Sequence, residues 1–222
     1  MLLVLESSAG TPSLCLVNAD GHIVFQRMAE HEKSHAECLP VFIQEALDFI
    51  SETKGALLAV ALNEGPGSYT GLRIGTSLAK GLCFGLQVPL IAVPGLQAMG
   101  QWALNSFPKK ERCFAMIDAR RDEVYVQIYS RNKGLTPVEA QIITSGLWEI
   151  DTDLDVFMGN ANTKAVALLH AEGVACEEGP YAVQLVSLAL QKWRAEEYVS
   201  VAYFEPFYLK EFQAGISKKF SL

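Results

Sequence analysis

Thirteen consecutive residues constrain this chain more than any other part of it: Asn63-Glu64-Gly65-Pro66-Gly67-Ser68-Tyr69-Thr70-Gly71-Leu72-Arg73-Ile74-Gly75. They follow an apolar run, Leu57-Leu58-Ala59-Val60-Ala61-Leu62, and open a long helical pattern that ends near Leu86. A strand, a glycine turn and a helix start form a natural receptor for an anion, because free backbone N–H groups and the positive end of the helix dipole point outward there. Two nucleotide-binding spacings nevertheless fail. A Walker A loop places Lys directly after its last Gly, where this chain has Leu72, and the gap between Gly67 and Gly71 is one residue too long for G-x-G-x-x-G.

At 222 residues the chain suits one large domain or two lobes of ordinary size. Half of the residues are apolar, ample for a core; no apolar run reaches the length of a membrane span, and the N-terminus enters a strand without a basic leader. A net charge of −7 argues against tight binding of nucleic acid by this chain alone, since phosphate neutralisation supplies most of that affinity. RNA contact would need a partner's basic surface. Cys15, Cys38, Cys83, Cys113 and Cys176 are odd in number and scattered, and they read as buried free thiols of a reducing cytosol.

Met1 to Glu6 reads as a buried strand ending on a carboxylate, Ser13 to Val17 as a second strand, and His22 to Met28 as a third after the Asp20-Gly21 turn. A first helix is predicted over Ser34 to Ser51, where Leu39, Phe42, Ile43, Ala46, Leu47 and Ile50 recur at helical spacing. With Phe49 its apolar arc spans about 160°, against the ~100° that one buried face needs, so the helix can pack on two things at once. A second helix, Ser68 to Leu86, carries Gly71, Gly75 and Ala79 four apart beside Ile74, Leu78 and Leu82, with Gly81 and Gly85 at the edge of that side. An interior Gly costs about 1 kcal/mol against Ala. Such a row implies close backbone approach, either to the domain's own sheet or to another subunit, and both uses stay open. With a further strand over Pro89 to Val93, the order is that of a ribonuclease-H-like lobe.

After Pro108-Lys109-Lys110, Cys113 to Asp118 is again an apolar strand ending on an acid, followed by the turn Ala119-Arg120-Arg121-Asp122 and a partner strand from Glu123 to Ser130. The repetition points to a duplicated lobe. Val156 to Gly159 reads as a strand, and Asn162 to Ala171 and Tyr181 to Glu197 as helices. The expected division is one α/β lobe over 1–105, a second over 106–200, and a tail over 201–222 that docks back on the body through Glu205 to Lys210. Lys218-Lys219 near the end reads as solvated.

Glu6 and Asp118, facing each other across two such lobes, would suit Mg²⁺–nucleotide chemistry. They are weak candidates: Glu6 is longer than the usual Asp, no lysine-bearing phosphate loop accompanies them, and strand-end acids commonly cap turns. His31 and His35, four apart, straddle the predicted helix start without a third ligand and read as a surface pair rather than zinc ligands. Ser68 lacks the closing Gly of a nucleophile elbow and reads as a helix N-cap. A phosphotransferase-like architecture with few catalytic groups suggests a fold kept for binding, or chemistry supplied by a partner.

The stretch from Gly65 to Gly75 resembles the signature of the TsaB (YeaZ) family, relatives of the actin-like ATPases. Similar matches are Leu5-Glu6-Ser7-Ser8, Ser34-His35-Ala36-Glu37-Cys38-Leu39-Pro40, Asp118 to Tyr125, and Pro206-Phe207-Tyr208-Leu209. The resemblance implies a role in making threonylcarbamoyladenosine at position 37 of tRNAs, as a non-catalytic partner that activates the catalytic paralogue TsaD, with the ATPase TsaE joining the assembly. It implies no cofactor of the chain's own, ATP and Mg²⁺ only in the assembled complex, tRNA contact only through that complex, and a cytoplasmic setting. The paralogue resembles this chain but carries a His-x-x-x-His metal pair where Gly95 and Met99 stand here, and neither can hold such a cation. Glu6 replaces the family's usual Asp, which weakens any expectation of a nucleotide site.

The family pairs through its first two helices, as a homodimer and with TsaD. The residues expected at that interface are Leu39, Ile43, Ile50, Gly75, Leu78 and Leu82. Arg73 and Arg120 could face partner, tRNA or solvent. The competing readings are an ATP-dependent phosphotransferase using Glu6 and Asp118, and a metallopeptidase, since related chains were long labelled glycoproteases of peptidase family M22.

Overall fold

Alternation along the first strands decides the layering. In Leu2–Glu6 (β1) and Ser13–Val17 (β2) every residue is buried, because both faces of their sheet are covered. Leu3, Leu5, Leu14 and Leu16 point into one apolar layer, and Leu2, Val4, Cys15 and Val17 into the other. Ile23–Met28 (β3) is mostly exposed, as suits an edge strand. The computed structural model describes residues 1–30 and 35–210. His31, the expected start of the first helix at Ser34, and Lys218-Lys219 lie outside the described residues.

His35–Glu52 (α1), Ala59–Gly65 (β4), Tyr69–Leu86 (α2) and Leu90–Pro94 (β5) follow. They complete a five-stranded sheet of order β3-β2-β1-β4-β5, with β1–β2 antiparallel and β1–β4–β5 parallel. Helices α1 and α2 cover one face through Ile43, Ala46, Ile50, Ala79 and Cys83.

Gly95–Ser106 (α3) leads to the second sheet: Arg112–Asp118 (β6), Glu123–Ser130 (β7), Gly134–Leu135 (β8), Glu139–Ile142 (β9), Asp155–Met158 (β10) and Ala175–Glu177 (β11). Its order is β11-β10-β6-β7-β8, with β9 also on β7. The β6–β7 pair is antiparallel and β6–β10–β11 parallel, so the first sheet's plan recurs strand for strand. The protein is thus an α/β chain of two duplicated ribonuclease-H-like lobes. Asn162–Leu169 (α4) occupies the place of α2. The counterpart of α1 is missing; irregular chain carrying Leu147, Trp148 and Ile150 covers that face, with Trp148 against Phe114.

The last helix among the described residues, Ala182–Arg194 (α5), does not stay with the second sheet. Its Leu185, Val186, Leu188, Ala189 and Leu190 cover the first sheet's other face, over Leu2, Val4, Cys15, Val17, Ile91 and Val93. Conversely α3, which ends at the expected boundary, puts Leu96, Met99, Ala103 and Leu104 against Cys113, Ala115, Ile117, Val156 and Met158 of the second sheet. A boundary near residue 106 therefore separates the sheets but not the helices, since each sheet takes its closing helix from the other segment. Nothing in the sequence pattern had marked α3: it starts at Pro94 without a side-chain cap and contains Gly95 and Gly100, which fit closely against Asn63 and Tyr129.

Candidate functional site

The glycine turn receives parts of the chain itself. Ser68 is the N-cap of α2, its Oγ accepting from Gly71 N at 3.3 Å. Ser68 N donates to Ser8 O at 2.7 Å, which pins the β1–β2 hairpin to the turn. A methyl group on Gly67 would collide with Ser8, and one on Gly71 or Gly75 with Ser7. Gly65, at φ +113°, faces the Phe207 carbonyl of the tail. Four glycines of the stretch are therefore explained by the approach of the hairpin and the tail, while Ser68 and Thr70 at the helix start stay exposed.

Glu6 is fully buried at the end of β1. Its Oε1 accepts from Ser8 N at 2.5 Å and Ser8 Oγ at 2.6 Å, and its Oε2 from Asn63 Nδ2 at 2.6 Å. Asn63 Oδ1 in turn accepts from Gly65 N at 2.8 Å, so the carboxyl organises the turn through Asn63. Burial pushes its pKa up, against the opposing pull of the Ser8 and Asn63 hydrogen bonds. Asp118 is exposed, and its carboxylate pairs with Lys164 at 2.8 Å and accepts from Arg120 N at 2.6 Å. The expectation of two acids open to a metal is corrected for Glu6: this carboxylate is shut inside a hydrogen-bond network. Asn63 is the residue that reading overlooked, although it heads the glycine stretch.

The two positions that the resemblance matches to the paralogue's metal pair lie in packed surroundings. Gly95 is held against Asn63, and Met99 is buried among Leu96, Cys113 and Met158. His35 is not a free surface residue, since its Nε2 lies 2.7 Å from Ala9 O and ties α1 to the hairpin. Among the described residues no three of His, Cys, Asp and Glu form a metal-binding group. Of the cysteines, Cys15, Cys83 and Cys113 are buried, and burial raises the Cys15 thiol to about 12 and the Cys83 thiol to about 11. Cys176 is exposed, contrary to the expectation of five buried thiols.

The residues expected at a subunit interface divide in two. Leu39, Ile43 and Ile50 are buried, the last two in the layer between α1 and the first sheet, and Gly75 packs on Ser7. Within the single chain these four positions are spent on its own packing. Leu78 and Leu82 are half-buried beside them. The outer surface is carried instead by Val41, 55% exposed, Phe84, 82% exposed, and Leu86, with Gly81 and Gly85 facing open space. Tyr203, 88% exposed, joins this side, because Lys80, one turn before Phe84, holds the flanking carbonyls of Ala202 and Phe204. Arg73 stacks over the Tyr69 ring at 4.1 Å. Arg120 and Arg121, at φ 73° and 49°, form an exposed turn. No helix among the described residues is long and apolar enough to cross a membrane.

Residues 27–144, just over half of the chain, match the family model described as TsaD, tRNA N6-adenosine threonylcarbamoyltransferase. The chain is 33% identical to the tRNA threonylcarbamoyladenosine biosynthesis protein TsaB of Haemophilus influenzae, over 60% of this chain and 55% of that protein. It is 28% identical to the Escherichia coli TsaB, over 80% of this chain and 81% of that one. The match thus spans little more than half of the first relative's length and most of the second's. YeaZ from Pseudomonas aeruginosa superposes with a TM-score of 0.74 at 28% identity, over 94% of this chain and 99% of that one. The chain belongs to the family of that threonylcarbamoyltransferase model, and within it to the TsaB (YeaZ) branch.

Proposed function

We propose that this chain is a non-catalytic subunit in the formation of threonylcarbamoyladenosine at position 37 of tRNA, acting by binding and activating a TsaD partner, with TsaE joining the assembly. The observation that carries this reading is the fate of Glu6. The acid that would open a nucleotide site is buried and hydrogen-bonded to Ser8 and Asn63, while α2 presents Phe84 and two glycines to solvent. An exposed aromatic flanked by glycines, where another backbone can approach closely, is the anatomy of a docking face. The names of the TsaB relatives support the pathway. In this reading the chain has no cofactor of its own, ATP and Mg²⁺ serve the assembled complex, and tRNA is met only there, in the cytoplasm. The same face would serve a homodimer, so self-association competes with TsaD.

The test is reconstitution with TsaD, TsaE, threonylcarbamoyl-adenylate, ATP, Mg²⁺ and tRNA. Modification is expected only in the full mixture. Phe84→Glu is expected to weaken TsaD binding in calorimetry tenfold or more, at the order of ~2 kcal/mol that such anchors contribute, with an unchanged melting temperature. Metal-dependent turnover by this chain alone, abolished in Glu6→Ala, would overturn the reading in favour of a phosphotransferase.

A further inference from the structure

After α5 the chain returns along the first lobe and then crosses to the second. Val199 N donates to Leu90 O at 2.9 Å, extending the β5 edge of the first sheet. Val199, Val201 and Phe204 pack into the layer under α1 and α2. Lys80 Nζ donates to Ala202 O at 3.1 Å and to Phe204 O at 3.0 Å. Phe207 N donates to Glu64 O at 2.7 Å, and Tyr208 rests on Tyr69 with ring centroids 5.0 Å apart. The segment is thus fastened to lobe one by apolar burial, four hydrogen bonds and a ring contact. At its far end Lys210 pairs with Glu123 at the start of β7, in lobe two.

The two anchorages differ in kind. Those on lobe one include backbone hydrogen bonds and partly buried apolar groups, whose rupture exposes surface to water. The one on lobe two is an ion pair in which Lys210 is 48% and Glu123 21% exposed. Pairs of that exposure contribute about 0–1 kcal/mol and weaken with salt. Glu123 is also where the β6–β7 hairpin is held: its carbonyl accepts from Lys164 Nζ at 2.7 Å, and Lys164 reaches Asp118 and the Arg121 carbonyl as well.

We infer that residues 199–210 form a strap fixed to lobe one and latched reversibly to lobe two by Lys210 and Glu123, so that the latch sets how firmly the strand-end hairpin carrying Arg120 and Arg121 is tied, through the strap, to the glycine turn that Phe207 contacts. The strap closes that side of the turn with the chain's own Phe207, and release of the latch frees the lobe-two side while the lobe-one side stays shut. The device is charge-controlled: neutralising either partner opens it, and exchanging the two charges closes it again.

Amide hydrogen exchange on the full chain, without any partner, tests this. In Lys210→Glu, the amides of Asp122 to Tyr125 are expected to exchange about three- to five-fold faster at low salt, with those of Glu64 to Leu72 unchanged. The milder Lys210→Gln should give the same pattern at smaller amplitude, and wild type in 0.5 M salt (about a 4–5 Å screening length) should resemble it. The double variant Glu123→Lys/Lys210→Glu should restore protection. Unchanged exchange at Asp122 to Tyr125 in both single variants would overturn the latch. So would equal loss of protection on the two lobes, which would mean that the strap had come off altogether.

Discussion

A carboxyl with three donors aimed at it and no access to water carries two opposed demands. Ser8 N, Ser8 Oγ and Asn63 Nδ2 favour the charged form, and burial disfavours it more strongly, which leaves Glu6 with a raised pKa. A carboxyl whose pKa is higher in the folded than in the unfolded state binds its proton better when folded. Its contribution is therefore fully present below the ordinary glutamate value of ~4.3 and is lost as the pH rises through the folded pKa. Wild type is thus expected to lose stability relative to Glu6→Gln over that climb, read as the difference in urea midpoints from about pH 4 to about pH 8. A constant difference would refute it. That Glu6 ends a strand is plain from its apolar neighbours. Its enclosure is not, because the group that completes it, Asn63, lies far along the chain and arrives only when β4 pairs with β1.

Helix α2 shows the same division at the next scale. Its periodicity and its Ser68 cap are local properties, and both were legible. Which row of small residues met which neighbour was not, since Gly71 and Gly75 are needed only because the hairpin carrying Ser7 lies against them. Gly81 and Gly85, alike in sequence, face open space. The two rows should respond oppositely to one added methyl. Gly71→Ala drives a Cβ into the Ser7 carbonyl and is expected to cost about 1–3 kcal/mol, lowering the melting temperature by several degrees. Gly81→Ala meets nothing and should stabilise the helix by up to about 1 kcal/mol. Shifts of the same sign in calorimetric melts would show that this assignment of the rows is wrong. The same geometry redirects any interface experiment from Gly75, where a large residue would disturb Ser7 first, to Phe84.

Across the whole molecule, the repeated run of strand, acid, turn and strand announced two lobes, and the strand orders agree with it. The exchange of α3 and α5 between the sheets left no mark on the sequence. An amphipathic helix records that it has an apolar face and says nothing of whose face it meets. A consequence is that the first lobe is incomplete alone: without α5, Leu2, Val4, Cys15, Val17, Ile91 and Val93 lose their cover. A fragment of residues 1–106 is expected to bind a hydrophobic dye and to melt without a cooperative transition. A sharp transition near that of the full chain would contradict the interlocked arrangement.

Local order was therefore largely written in the chain: the strands other than β8, β9 and β11, the capped helix, the glycine turn and the duplication follow from spacing and side-chain type over a few residues. Tertiary structure alone decided that the turn holds a hairpin and a tail, that Glu6 is sealed, that Leu39, Ile43 and Ile50 are core, and that Phe84 is surface. The reason is one of range. Periodicity reports on neighbours within a turn or a strand, whereas enclosure depends on segments brought together from opposite ends of the chain.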